Sequence, residues 1–321
     1  MEKKQKHHSK RSAARSAEGS GTQQKRLAPM MRALKAVHTL ASNESTDPDA
    51  LELQRKSHEV LGRLVTPMIG MEWLPFPLDG MPAAWTRPDR GHDPRRAILY
   101  CHGGGYTCGS LGYARILSSK LAQVTGYPVL SFGYRLAPEH PYPAALEDAL
   151  KAWDYLMYQG YGARDIIVAG DSAGGNLALV LTLKLRQQGR LLPRALALMS
   201  PWTDMTASGR SYTEHAQDDP ILTLDYIKAV RTAYAGQREL SDPLLSPLFA
   251  DFTGFPPVMV QVGEHEILRS DSVRLRDRLV MRGIPCRLEL WKQMWHVFQM
   301  FPIKRANEAM DSMGQFLRDL F

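Results

Sequence analysis

Ile166-Ile167-Val168-Ala169-Gly170-Asp171-Ser172-Ala173-Gly174-Gly175 is the stretch on which the reading of this chain turns. Residues 166–169 form an apolar, β-branched run of strand length. They lead into a serine flanked by small residues, and a helical pattern follows at 173–188. That pattern sets Leu177, Val180, Leu181 and Leu185 on one face and stops at Gly189. A G-x-S-x-G motif between a strand and a helix places its serine on a sharp turn. The hydroxyl then projects from the sheet, with the free N–H groups of the helix start beside it. Ser172 is therefore expected to be a nucleophile. A glycine-rich turn that merely contains a serine is the plainer alternative, and the strand before and helix after weigh against it. Asp171 adjoins Ser172 in sequence and cannot easily reach the far side of a histidine, so it reads as structural.

Working outward, short apolar runs recur at 97–101, 128–133, 195–199, 258–262 and 286–291. Helical stretches at 112–125, 143–158 and 271–282 separate them, the last ending at Gly283 with Pro285 beyond. The segment 72–87 reads as a hairpin with Gly80 at its turn. Strands alternating with helices imply an α/β fold, a mainly parallel sheet of about eight strands with helices on both faces. Residues 27–65 read as helical, with a break at Asn43–Asp47. Residues 205–239 are polar and helix-like without a clear strand, which marks an insertion between two strands. Ligand-binding elements of α/β sheets gather over the carboxyl ends of the strands.

His102-Gly103-Gly104-Gly105 follows the run at 97–101. Acyl transfer builds negative charge on a carbonyl oxygen, and backbone N–H donors stabilise it. The glycine run suits that task, and the Ala173 N–H would complete the donor set. No G-K-[ST] follows, so a phosphate loop is not indicated. His102 reads as a structural hydrogen-bonder. A base is expected after the nucleophile and the acid in chain order. Beyond the insertion only His265 and His296 are available, and His296 follows the last strand run. The acid is expected after the run at 258–262, where Glu264, Glu266 and Asp271 are all candidates. Asp271 opens a helix, where the dipole favours a carboxylate in any case. Physical reasoning alone leaves Glu264 and Glu266 open.

The composition of the 321 residues is ordinary for a globular protein, with 44% hydrophobic and 23% charged residues. The net charge of +7 lies almost wholly in residues 1–26, which hold eight Lys or Arg against two acids. A solvated, disordered tail is expected there, and the near-neutral body argues against nucleic-acid binding. Three cysteines, Cys101, Cys108 and Cys286, offer no disulfide framework and fit a reducing, cytoplasmic setting. The tail lacks the apolar stretch of a secretory signal, and no run is long and apolar enough to span a membrane.

Several motifs, in one order, resemble the hormone-sensitive-lipase-like esterases, the bacterial family IV lipolytic enzymes. They are H-G-G-G at 102–105, Y-R-L-A-P-E-H-P-Y-P at 134–143, G-D-S-A-G-G at 170–175, S-P-W-T-D at 200–204 and W-H-V-F-Q-M-F at 295–301. The resemblance covers roughly 66–321 and implies the α/β-hydrolase fold. It places the oxyanion donors on Gly104, Gly105 and Ala173 and makes Ser172 and His296 catalytic. The family's Asp-Pro-Leu-Arg-Asp segment falls on Glu266-Ile267-Leu268-Arg269-Ser270. Glutamate replaces the usual aspartate, a departure, and the resemblance selects Glu266 as the acid, with Asp271 second. Arg135 and Glu139 read as structural.

The resemblance further implies a helical cap from 27–65 and 205–239 over a catalytic core of 66–204 and 240–321. The implied activity is hydrolysis of short- to medium-chain carboxylic esters through an acyl-enzyme, with no metal or cofactor. The implied partner is a small-molecule ester, and a homodimer is compatible with the sequence. One alternative is amide or N-acetyl hydrolysis by the same residues. Another is a non-catalytic binder, like the plant gibberellin receptors that resemble this family with the histidine replaced; the presence of His296 argues against it.

Overall fold

The strand-length runs pair into a single eight-stranded sheet. The structure, a computed structural model, describes Pro29, Asp49, residues 51–56 and residues 69–321. The basic tail at 1–26 and most of the helical stretch expected at 27–65 lie outside the described residues. The strands are β1 (Met71–Leu78), β2 (Met81–Pro88), β3 (Ala97–Cys101), β4 (Val129–Phe132), β5 (Ile166–Asp171), β6 (Ala195–Met199), β7 (Val258–Gly263) and β8 (Cys286–Trp291). Their order across the sheet is β1-β2-β4-β3-β5-β6-β7-β8. β3 to β8 run parallel, and β2 runs against both of its neighbours. The β1–β2 turn, Asp79-Gly80, has positive φ at both residues, as a tight hairpin with the sheet's twist requires.

The central strands are apolar on both faces because both faces are covered. Leu99 and Val168 point into one core and Ile98 and Ile167 into the other, the period-two alternation of a strand. On the first face lie α2 (Ala144–Tyr158), α3 (Ala173–Gln187) and α6 (Arg269–Met281). The second face is filled by α1 (Leu111–Thr125) and α7 (Lys304–Arg318). The helix α7 has no counterpart in the sequence reading. Its Ala306, Ala309, Met310, Met313 and Leu317 are all buried, and their spacing is that of one helical face.

Between β6 and β7 the chain forms two helices, α4 (Ser211–Glu214) and α5 (Leu224–Ala235). Thr223 caps α5 by accepting from the Tyr226 N–H, which satisfies one of the helix's orphan donors. The expected insertion at 205–239 is thus helical and contains no strand. Residues 51–56 are also helical. From there Arg55 donates to the carbonyls of Thr107 (2.8 Å) and Ala137 (3.0 Å) and pairs with Glu139. This ties the early segment to the loop that follows the H-G-G-G run.

Candidate active site

Close packing of β5 against α3 forces the turn that carries Ser172. A Cβ on Gly174 would stand 2.1 Å from the Cys101 carbonyl oxygen, so only glycine lets the helix start beneath β3. Ser172 adopts φ 53° and ψ −121°, a costly conformation for a residue with a side chain. Hydrogen bonds hold it there. Its N–H donates to Met199 O (2.9 Å), and its carbonyl accepts from Trp202 N (3.0 Å) and Asn176 N (3.2 Å).

The structure brings Ser172, His296 and Glu266 into one hydrogen-bonded chain. His296 Nε2 lies 3.0 Å from Ser172 Oγ, and His296 Nδ1 lies 3.1 Å from Glu266 Oε2. His296 sits in the loop after β8, and Glu266 in the loop after β7. Glu266 is fully buried, and its Oε1 accepts from the Gly263 N–H and from Ser200 Oγ (2.8 Å). Burial pulls the His296 pKa down. The Glu266 hydrogen bond and the charges of Glu266, Asp219 and Asp171 outweigh burial, so the net direction is upward from 6.5.

Asp271 is not part of this chain. Its Oδ2 accepts from the backbone N–H groups of Thr203 (2.8 Å) and Asp204 (2.9 Å). Burial, with Asp204 nearby, pushes its carboxyl up to about 8. Glu264 accepts from the Gln293 N–H (2.9 Å) and so braces the loop that carries His296.

The H-G-G-G loop is shaped from below by Asp171. This buried carboxylate accepts from the Gly103 N–H (2.9 Å), from Tyr113 Oη (2.8 Å) and from Tyr100 Oη. Gly104 has φ 114°, and a Cβ there would stand 2.3 Å from the Cys108 carbonyl oxygen. Among the described residues, the N–H groups of Gly104 and Gly105 have no protein acceptor. The Ala173 N–H opens α3, where helical N–H groups lack partners. Among the described residues, the three N–H groups of Gly104, Gly105 and Ala173 thus have no backbone acceptor. His102 stacks on Tyr134 at 4.1 Å and places Nδ1 2.8 Å from Gly103 O, which engages it in the loop's own structure. Arg135 pairs with Asp148 and Glu147, and Glu139 with Arg55.

Two polar residues at the site carry no role in the sequence reading. Ser200 belongs to the S-P-W-T-D motif; besides donating to Glu266 it accepts from Val297 N (3.1 Å). One hydroxyl thereby links the loops of acid and base. Asp219, in the insertion, accepts from the Ile267 N–H (2.9 Å) next to Glu266.

Ligand atoms of His215, Asp218 and His265 lie within 4.8 Å of one another, close enough to suggest a metal site. However, Arg269 Nη1 stands 3.0 Å from His215 Nε2. A guanidinium can only donate, so Nε2 accepts and Nδ1 carries the proton toward Asp218 (3.5 Å). A metal-bound histidine needs the reverse, with its outer nitrogen donating to an acceptor. The Arg269 contact at His215 Nε2 therefore does not fit a metal-bound imidazole.

Fold and site together define an α/β-hydrolase, and the comparisons with known proteins agree. A family model described as alpha/beta hydrolase fold matches residues 98–300. An esterase of Acinetobacter venetianus is 38% identical over 226 residues, 70% of this chain and 75% of its own. An acetyl-hydrolase of Streptomyces hygroscopicus is 37% identical over 238 residues, 74% of this chain and 79% of its own. The crystal structure of an esterase from the bacterial hormone-sensitive lipase family superposes with a TM-score of 0.85 at 34% identity. It covers 91% of this chain and 98% of that one. The chain belongs to the hormone-sensitive-lipase-like esterases of the α/β-hydrolase fold and is a carboxylic ester hydrolase. Among the described residues, no helix is long and apolar enough to cross a membrane.

Proposed function

We propose that the protein is a serine carboxylesterase that hydrolyses short- to medium-chain esters through a covalent acyl-enzyme. The observation that carries this reading is the Ser172–His296–Glu266 hydrogen-bonded chain, together with the N–H groups of Gly104, Gly105 and Ala173, which have no backbone acceptor among the described residues. Ser172 Oγ attacks the ester carbonyl carbon as His296 Nε2 takes its proton. Glu266 holds the imidazole with Nδ1–H toward itself and stabilises the imidazolium. The negative charge on the carbonyl oxygen is received by the N–H groups of Gly104, Gly105 and Ala173. His296 then gives its proton to the departing alkoxide, and the C–O bond breaks. Water, deprotonated by His296, attacks the acyl-enzyme and releases the acid and Ser172.

The described insertion supports a preference for short acyl groups. Tyr226 and Val230 of α5 stand over Gly105, within 3.0–3.3 Å of where a Cβ there would lie. The insertion 205–239 serves as a cap in this reading. Similarity to a protein named an acetyl-hydrolase points the same way. The test is a chain-length series of nitrophenyl esters, with Ser172→Ala as control. kcat/KM is expected to peak at short chains and fall as the acyl group lengthens. A maximum at long chains would overturn the chain-length reading.

A further inference from the structure

Asp219 is nearly fully buried, at 3% exposure, and belongs to the insertion, not to the sheet. Its Oδ1 accepts from the N–H groups of Ile221 (2.9 Å) and Leu222 (3.0 Å), which folds its own turn. Its Oδ2 crosses to the acid loop and accepts from Ile267 N (2.9 Å). That N–H belongs to the peptide unit joining Glu266 to Ile267. The clamp therefore grips the backbone from which the Glu266 side chain springs.

The carboxylate also lies within the electrostatic reach of the site. Its interaction partners are His296, which it attracts, and Glu266, which it repels. Three negative groups bear on the imidazole of His296: Glu266 by direct hydrogen bond, with Asp219 and Asp171 acting through space. A buried charge without a counter-ion costs free energy, and the three N–H donors offset part of that cost. Burial, with Glu266 nearby, pushes the Asp219 carboxyl up to about 6.

We propose that Asp219 is a positioning residue for hydrolysis. It clamps the Glu266–Ile267 peptide from the insertion and adds, beside Glu266 and Asp171, a further buried negative charge that strengthens His296 as a base. Seating of the insertion and readiness of the base are thereby coupled. This inference rests on the catalytic reading of Ser172, His296 and Glu266 given above.

The test compares Asp219→Asn with the wild-type full chain on a short nitrophenyl ester across pH. Losing the charge lowers the His296 pKa, so the acid limb of kcat/KM moves to lower pH. The imidazolium of the transition state is less stabilised, so plateau kcat falls about tenfold with KM changed less than about twofold. A folded variant with wild-type kcat, or with reduced kcat and an unmoved acid limb, would overturn the proposal. If Asp219→Asn fails to fold, Asp219→Ser keeps a hydroxyl for the local turn, and the same outcomes are read from it. Ser172→Ala run in parallel separates the two readings. An inactive Ser172→Ala beside an unaffected Asp219 variant rejects only the present inference. An active Ser172→Ala rejects the catalytic reading beneath it.

Discussion

At the scale of single side chains, the carboxylate of Glu266 faces a fixed imidazole on one oxygen and two donors on the other. Replacing it by glutamine gives Nδ1–H a weaker partner and removes the charge that favours the imidazolium. Glu266→Gln is expected to lower kcat by about 10⁴. Asp271→Asn is expected to keep ester hydrolysis near wild type, because Asp271 holds backbone N–H groups and not His296. The reverse ranking in steady-state kinetics would contradict the assignment. Ser200→Ala removes one charge-assisted hydrogen bond to Glu266 and is expected to cost roughly tenfold to a hundredfold in kcat. Ser172 and His296 are legible in the sequence because motif and chain order single them out. Glu266 is legible only through the family resemblance, since spacing leaves Glu264 equally placed. The roles of Ser200 and Asp219 are not legible. Each acts through a partner far along the chain, 66 and 48 residues away, and no local pattern marks such a pair.

At the scale of elements, the six strand segments expected from apolar runs and the two strands of the hairpin correspond to β1 to β8 within a few residues. Strands covered on both faces are continuous apolar runs, which makes them visible. The helix α7 is not marked by any motif, and its apolar face of Ala306, Ala309, Met310, Met313 and Leu317 is interrupted by charged and polar residues. It completes the second core face, so Met313→Ala is expected to lower stability by about 2–5 kcal/mol, measured by urea unfolding. Asp271 gives a pH-dependent expectation for α6. Its folded carboxyl titrates at about 8, against an ordinary 3.8. The native state keeps a proton that the unfolded chain releases. The stability it contributes is full below the unfolded value and is lost as pH rises through about 8. Asp271→Asn is expected to flatten the fall in Tm over that window, and an unchanged slope would contradict the assignment.

At the scale of the whole molecule, the loops after β3, β5, β7 and β8 converge at one end of the sheet. In the proposed mechanism the first supplies oxyanion donors, the second the nucleophile, the third the acid and the fourth the base. The loop after β6 braces the acid and base through Ser200. The insertion reaches the same end through Tyr226 and Asp219. The proposed mechanism depends on Ser172 above all, since its Oγ is the attacking atom and is the partner of His296 Nε2. The most direct test is the hydrolysis of a short-chain nitrophenyl ester by Ser172→Ala, with circular dichroism to verify the fold. The expected result is an intact fold with kcat lowered by on the order of 10⁴ to 10⁶. A folded variant that retains activity within about tenfold of wild type would contradict the assignment of Ser172 as nucleophile.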